Sequence, residues 1–333
     1  MTRAAIGTEM NCSLATVTHY TRWLLESRLL ISKPIKVPKV KRPVDEIRIN
    51  GDLGFCVGAT ANARHITCQL IRLDGQVVET FGPVKPGANQ ASFMASLSNA
   101  IFDGLRLAKK LRKPVFHVGI GVDGWVASEP GIVFHIEGIP KWEACRIGSV
   151  LPDGQLPAKV GCWSEVACKV RGLAADQQVD NHLCYVEYVR KRFRLAAILD
   201  GVFAMGSHGT GSSLLHQKIS DRGARCYCGR VGCLSEHVKR GDVDPEIVFK
   251  TFLHLFHDLP GDIVGLEWDG PADWFEQALI RAGAHKVVQA KDSAGLALRG
   301  IGGLAAETAL AGLVDRAMQH RQKISSLDFM APV

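Results

Sequence analysis

The sequence has no apolar run approaching the ~20 residues that a membrane span needs, and its first residues, MTRAAIGTEM, lack the apolar core of a signal peptide. Both absences point to a cytoplasmic chain without a membrane partner. Low-complexity tracts are missing too. With 47% hydrophobic and 22% charged residues over 333 positions, neither disorder nor a small stapled scaffold fits. A reducing compartment disfavours a disulfide framework, so the ten cysteines need another account. Seven stand singly (Cys12, Cys56, Cys68, Cys145, Cys162, Cys168, Cys184), most of them in apolar stretches where a thiol acts as a small hydrophobe. The other three crowd into the twelve residues CYCGRVGCLSEH.

Acids are scarce at the start of the chain. Residues 1–50 hold nine Lys or Arg against four acids, a local charge of +5 out of +7 overall. A basic head on a near-neutral body is the footprint of a nucleic-acid contact, and a solvated basic linker gives the same count. The first thirty residues predict two helices around a short turn. Ala4, Ala5, Ile6 and Met10 form the apolar face of the first, Asn11 takes the left-handed turn, and Ser13 caps the second. In that second helix Val17, Tyr20 and Leu24, three and four apart, should face inward together. This is the layout of a helix-turn-helix whose second helix enters a major groove, although a helical hairpin capping the body would show the same pattern. On the DNA reading, Arg3, Ser13, Thr16, Thr18, His19 and Arg22 contact double-stranded DNA. Lys39, Lys41 and Arg42, in the Pro- and Lys-rich SKPIKVPKVKRPVDEIRIN, then run along phosphates as a linker or wing.

Beyond residue 50, GFCVGATANARHITCQLIRLDGQVVET predicts two strands joined near Gly58 and a turn at Asp74-Gly75 before a third. An amphipathic helix and a buried strand ending in a glycine-rich loop follow. After Gly261 the order strand, helix, strand recurs and leads into a small-residue helix, which argues for an α/β body. Within it His216, Cys226, Cys228 and Cys233 are spaced H-x9-C-x-C-x4-C. One nitrogen and three thiolates close a tetrahedral shell around zinc with no open position, so the metal would be structural. His208 and His237 stand near enough to replace His216, and chance clustering of core cysteines is the bland alternative.

The segment GARCYCGRVGCLSEH, preceded by LDGVFAMGSHGTGSSLLH, resembles the zinc signature of the ROK family (repressor, open reading frame, kinase), which joins bacterial sugar kinases to helix-turn-helix repressors. The likeness extends upstream through VGIGVDGWVASEPGIVFHIEGIPKW and GFCVGATANARHITCQLIRLDGQVVE, and the N-terminal helices resemble the repressor branch. The resemblance implies an α/β, actin-like (RNase H-like) two-lobed body behind an N-terminal winged helix-turn-helix. The expected divisions are residues 1–32 for the helix-turn-helix, 33–50 for the linker or wing, 51–160 for the N-terminal lobe and 161–333 for the C-terminal lobe with its zinc loop. It places Gly58, Thr60, Ser213, His216 and Glu236 at ligand-binding positions of the cleft. Two departures stand out. The chain starts at what would be the second helix of a three-helix unit, so Ala5, Ile6 and Tyr20 would lack their usual partner. The stretch between Glu236 and LPGDIV is short, so the C-terminal lobe is abbreviated.

A sugar kinase needs a carboxylate base, glycine-rich phosphate loops and an acid to organise magnesium. At the positions that the resemblance assigns to these groups stand Cys56 for the acid, Cys162-Trp163 for the Asn-Asp base pair, and a glycine-free Val189 to Leu195 for the second phosphate loop. Ser213 and Ser235 replace two sugar-holding glutamates, with Glu236 one place late. Tryptophan cannot accept a proton as a carboxylate does. The expected function is therefore a ROK-type transcriptional regulator, a repressor of sugar metabolism or uptake, without kinase activity. It would act as a homodimer or higher homo-oligomer on operator DNA, with structural zinc and a sugar or sugar-phosphate effector. A surviving sugar kinase and a degenerate partner protein are the alternatives. The run RKRFR reads either as a solvated strand face or as an anion-binding wall of the cleft.

Overall fold

Thr2 and Ser13 each cap a helix, accepting from the backbone N–H of Ala5 and Thr16. These helices are α1 (Arg3–Glu9) and α2 (Leu14–Glu26), joined by a turn in which Asn11 takes φ +50°. The computed structural model describes residues 1–36, 42–151, 159–179, 181–189, 192–204, 218–226, 229–234, 236–237, 263–268, 273–281 and 283–328. An antiparallel pair, β1 (Leu30–Ile35) and β2 (Val44–Ile49), follows α2. The inward positions of α2 differ from those its apolar spacing predicts. Val17 and Thr21 are buried and Leu24 is half-buried, whereas Tyr20 is 56% exposed. The reason is polar anchoring: the Thr21 hydroxyl donates to the Val17 carbonyl (2.8 Å) and accepts from Arg3 Nε (3.1 Å), which turns the face one residue past Tyr20.

The body is built on two five-stranded sheets of the same plan. The first contains β3 (Phe55–Ala61), β4 (Ile66–Arg72), β5 (Val77–Val84), β6 (Val115–Val122) and β10 (Lys159–Ser164), in the order β10-β6-β3-β4-β5. β3, β4 and β5 form an antiparallel meander, and β6 and β10 add in parallel on the other side of β3. The long helix α3 (Gln90–Lys110), opened by an Asn89/Ser92 capping box, returns the chain from β5 to β6 and buries Phe93, Leu97 and Ile101. A small antiparallel sheet of β7 (Gly124–Ala127), β8 (Ile132–Ile136) and β9 (Cys145–Arg146) sits at its edge. The turn expected near Gly58 lies instead at residues 62–65, where the Asn62 side chain accepts from the N–H groups of Arg64 and His65. Gly58 stays inside β3 because another backbone approaches there: a Cβ on it would lie 3.3 Å from Gly302.

The second sheet repeats the order. β11 (Leu183–Val189), β12 (Arg192–Leu199) and β13 (Val202–Phe203) form the meander, and β14 (Ile263–Trp268) and β15 (Lys286–Gln289) add in parallel, with α5 (Asp273–Arg281) between them. Two helices join the halves. α4 (Glu165–Gln177) leads from β10 to β11, and α6 (Ser293–Asp328) returns from β15 to pack on β3 and β6. They cross at backbone contact, where a Cβ on Gly300 would lie 1.8 Å from the Cys168 carbonyl. Over Ser293–Gln319, α6 is long and apolar enough by length and composition to cross a membrane, although the sequence shows no unbroken apolar run of that length. Here it is a core helix: Ile301, Leu304, Ala305 and Ala309 are buried, two of them against Cys56 and Leu73 of the first sheet.

Candidate functional site

The N-terminal unit presents one face of α2. Thr16, His19 and Arg22 are exposed and Thr18 is half-buried. Ser13 is engaged as the helix cap, its hydroxyl 2.8 Å from that of Thr16. Arg3 is tied inward, to Thr21 and to Asp45 of β2 (3.4 Å), so it braces the two helices against the hairpin. Arg42 is exposed two residues before β2; Lys39 and Lys41 lie outside the described residues. Thr16 also borders an apolar groove of about 680 Å³, lined by Ile6, Met10, Tyr20, Trp23 and Leu30 and by Val314 and Met318 of α6.

A second cavity, of about 380 Å³, opens between the sheets and is strongly charged. The N-cap Ser164 starts α4 with Glu165 in its first turn, and Lys169 follows one turn later on the same face. Lys169 Nζ reaches Glu187 of β11 (2.6 Å), Glu267 of β14 (2.9 Å) and Glu165 (3.4 Å). Arg194 of β12 pairs across the strand register with Glu187 and also holds Asp123, at the end of β6. Tyr185 donates to Glu267 at 3.0 Å. Burial alone would raise the Glu187 carboxyl, but Arg194 and Lys169 outweigh it and hold the pKa at about 2. Burial would likewise discharge Lys169, yet Glu187 and Glu165 keep it a firmly protonated ammonium. For Glu165 burial prevails over the attraction of Lys169 and Arg194, so its pKa is raised. Arg194 therefore does not belong to a solvated strand face; the anions it holds are the protein's own.

The positions of the kinase acid and base pair, Cys56 and Cys162-Trp163, sit in apolar packing. Cys56 is fully buried, its thiol donating to the Ala305 carbonyl (3.5 Å), and burial pushes its pKa up to about 12. Cys162 is buried and also shifted upward by burial. Trp163 is half-buried, packed toward Ile301 and Leu304 of α6, with its ring 6.2 Å from that of His117. Of the sequence-assigned ligand residues, Gly58 and Thr60 lie within β3 and do not line the cavity. Ser213 and His216 fall outside the described residues, and Glu236 is half-buried beside Cys233. The cavity is lined instead by Asp123, Glu165, Lys169, Glu187, Arg194 and Glu267. Of these, sequence reasoning reached only Arg194, through the run RKRFR read as a wall of the cleft; the others come from separate elements, and the i,i+4 pair Glu165/Lys169 was a local signal left unread.

At the cysteine loop Cys226 and Cys233 are both buried. The Cys226 N–H donates to Arg230 and the Gly229 N–H to Cys226, closing a tight turn, while Gly229 and Gly232 take φ +86° and +79°. A Cβ on Gly232 would lie 1.8 Å from the Ser220 carbonyl. His237 Nε2 stands 3.2 Å from the Arg222 carbonyl. Cys226 and Cys233 are the expected zinc ligands among the described residues, where no group of three or more His, Cys, Asp or Glu side chains gathers to hold a metal; Cys228 and His216 lie outside the described residues.

A family model described as the ROK family matches residues 56–239. The chain belongs to the ROK family. Its fold is similar to a ROK family transcriptional regulator described as a homologue of the E. coli MLC protein, at 16% identity and a TM-score of 0.65, over 96% of this chain and 95% of that one. It is also similar to the ROK hexokinase from Thermus thermophilus (17% identity, TM-score 0.57, 75% of this chain and 97% of that one). A ROK glucokinase from Streptomyces griseus, solved with glucose and AMPPNP, matches at 15% identity and a TM-score of 0.56, over 76% of this chain and 100% of that one. No curated protein matches the sequence. At these identities the structural likeness speaks for the two-lobed ROK fold, which regulators and kinases share.

Proposed function

We propose that this ROK protein is a DNA-binding transcriptional regulator of sugar metabolism or uptake, a repressor, that does not transfer phosphate. The observation that carries the reading is the N-terminal unit: a capped α2, braced by Arg3 and flanked by an antiparallel hairpin, with Thr16, His19 and Arg22 on its open face. The regulator neighbour aligns over nearly all of this chain, whereas the two kinases leave about a quarter of it unmatched. Trp163, packed toward α6, stands at the position where the resemblance expects a kinase base; in the cleft Glu187 is held near pKa 2, far below the range in which a general base works at neutral pH. Thr16, Thr18, His19 and Arg22 read the major groove, and Lys39, Lys41 and Arg42 lie along phosphates. Two copies of the unit, paired through the body, would match a two-fold operator in the cytoplasm. The cavity between the sheets receives a small sugar-type effector. Cys226, Cys228, Cys233 and His216 would hold a structural zinc, whose bonds would fix the loop.

The test is a titration of the full chain with DNA from its own promoter region at two salt concentrations. Specific binding that weakens steeply with salt supports the regulator reading. Absence of binding at low salt, or ATP hydrolysis that depends on one sugar, overturns it.

A further inference from the structure

Two helices end in the same way where the N-terminal unit joins the body. At the end of α2 the N–H of Arg28 donates to the Leu25 carbonyl and that of Leu29 to Leu24; at the end of α3 the N–H of Arg112 donates to Lys109 and that of Lys113 to Ala108. Both are Schellman caps, in which the residue after the cap turns left-handed and is usually glycine. Here it is arginine twice, Arg28 at φ +59° and Arg112 at φ +55°, and both are exposed. A side chain costs free energy in that conformation, which glycine avoids. The two ends are linked: Asn50 Nδ2 donates to the Arg28 carbonyl (2.9 Å), the Asp52 N–H donates to Asn50 Oδ1 (3.2 Å), and Lys113 Nζ donates to the Asp52 carbonyl. Lys109 and Lys110, exposed in the last turn of α3, extend the surface. The acids nearby are held by other cations: Arg72 pairs with Asp52 (3.2 Å) and Asp74 (3.1 Å), and Arg106 with Asp103. Among the described residues Arg28, Lys109, Lys110 and Arg112 make no ion pair. Cations complement the dipole at a helix end, but that does not call for arginine where glycine fits.

We propose that this joint is a second phosphate-binding surface, on which Arg28, Lys109, Lys110 and Arg112 hold the backbone of the duplex beyond the groove that α2 enters. The inference rests on the DNA-binding reading above and adds to it a contact made by the body. Two observations select DNA as the occupant. Unpaired, exposed cations are the complement of a phosphate backbone. The surface is also continuous with the N-terminal unit, since Arg28 closes α2 itself, about 20 Å along the helix from its Ser13 cap at 1.5 Å per residue. That span equals about six base pairs, so the phosphates met here flank the bases that the first turn of α2 reads. Such contacts fix the orientation of the duplex without reading its sequence.

The experiment is anisotropy titration of the full chain at several salt concentrations with two duplexes from its own promoter region. One spans the two half-sites, about 20 base pairs, and the other adds about ten base pairs at each end. For the natural chain the flanks tighten binding and steepen the slope of log affinity against log salt. The double variant Arg28→Gly/Arg112→Gly removes both cations from a backbone that glycine suits, so it should melt no lower than the natural chain. On the flanked duplex it should bind about tenfold more weakly at low salt, with a slope smaller by about two for each bound chain. Its binding of the shorter duplex should not change. If that variant does not fold, Lys109→Gln/Lys110→Gln takes its place, with the same loss expected. Flanks that add nothing for the natural chain, a variant that keeps their whole effect, or a loss equal on both duplexes overturns the proposal and leaves the regulator reading standing. No binding of either duplex by the natural chain overturns both.

Discussion

Glu187 on β11 and Arg194 on β12 face each other across an antiparallel register, and their buried ion pair also captures Asp123 from the end of β6. The two sheets are thereby tied through charge at the mouth of the cleft. Removing one member leaves the others charged and unpaired in a poorly solvated place. Arg194→Leu should therefore destabilise the fold by about 3–5 kcal/mol, read as a shift in the urea unfolding midpoint. A loss below about 1 kcal/mol would mean that water screens the cluster as it screens a surface pair.

His117 carries a pH dependence of definite sign. Burial, assisted by Lys159, lowers its pKa from 6.5 to about 4, and its Nε2 has no partner. The unfolded chain binds the proton first, so this contribution is complete above pH 6.5 and is lost as pH falls toward 4. The gap corresponds to about 3 kcal/mol. His117→Gln should flatten the stability profile between pH 6.5 and 4 without changing the loss at still lower pH. The latter belongs to Glu187, whose depressed carboxyl is protonated only as pH drops below about 4.5 toward 2.

Helix α6 carries two glycines whose substitution should act in opposite directions. Alanine in a helix interior is favoured over glycine by about 1 kcal/mol. At Gly312, where an added Cβ meets nothing within 4 Å, Gly312→Ala should stabilise by up to that amount. At Gly300 the same methyl would sit 1.8 Å from the Cys168 carbonyl, so Gly300→Ala should instead cost about 2 kcal/mol or more as the helices separate. Thermal unfolding of the pair checks the contrast.

On DNA, Arg42→Ala should lower the slope of log affinity against log salt by about one and weaken all sequences alike. Thr16→Ala and Arg22→Ala should each reduce the preference for the operator over unrelated DNA, by about 1–3 kcal/mol where the side chain hydrogen-bonds a base edge. Anisotropy titrations with both DNAs separate the two behaviours. A uniform effect from all three variants would leave α2 outside the groove.

For the cysteine loop, the purified chain should carry about one zinc ion, and Cys226→Ser or Cys233→Ser should lose it. Chelator treatment of the natural chain should lower its melting temperature, while the serine variants should be insensitive to chelator. A metal-free natural chain with an unchanged melting temperature would contradict the assignment.

Local signals account for much of the fold. Ser13 as a cap, Asn11 in a left-handed turn and the Asp74-Gly75 turn all act over three or four residues, and each appears in the fold as the sequence implies. Apolar spacing misplaces Tyr20 because it ignores the reach of Arg3, whose hydrogen bond to Thr21 spans eighteen positions. Gly58 looks like a turn in the sequence because its real cause, the approach of Gly302, lies far along the chain.

The ROK family, the two-helix head, the α/β alternation and the clustering of cysteines are all legible in the chain alone, because each is written in neighbouring residues. What fills the cleft is settled only in three dimensions. Asp123, Glu165, Lys169, Glu187, Arg194 and Glu267 lie on separate strands and helices, and their shared charge balance exists only once the two sheets and α4 bring them within a few ångströms. Electrostatic energy depends on distance in space and on exclusion of water, and neither can be read from position along a chain.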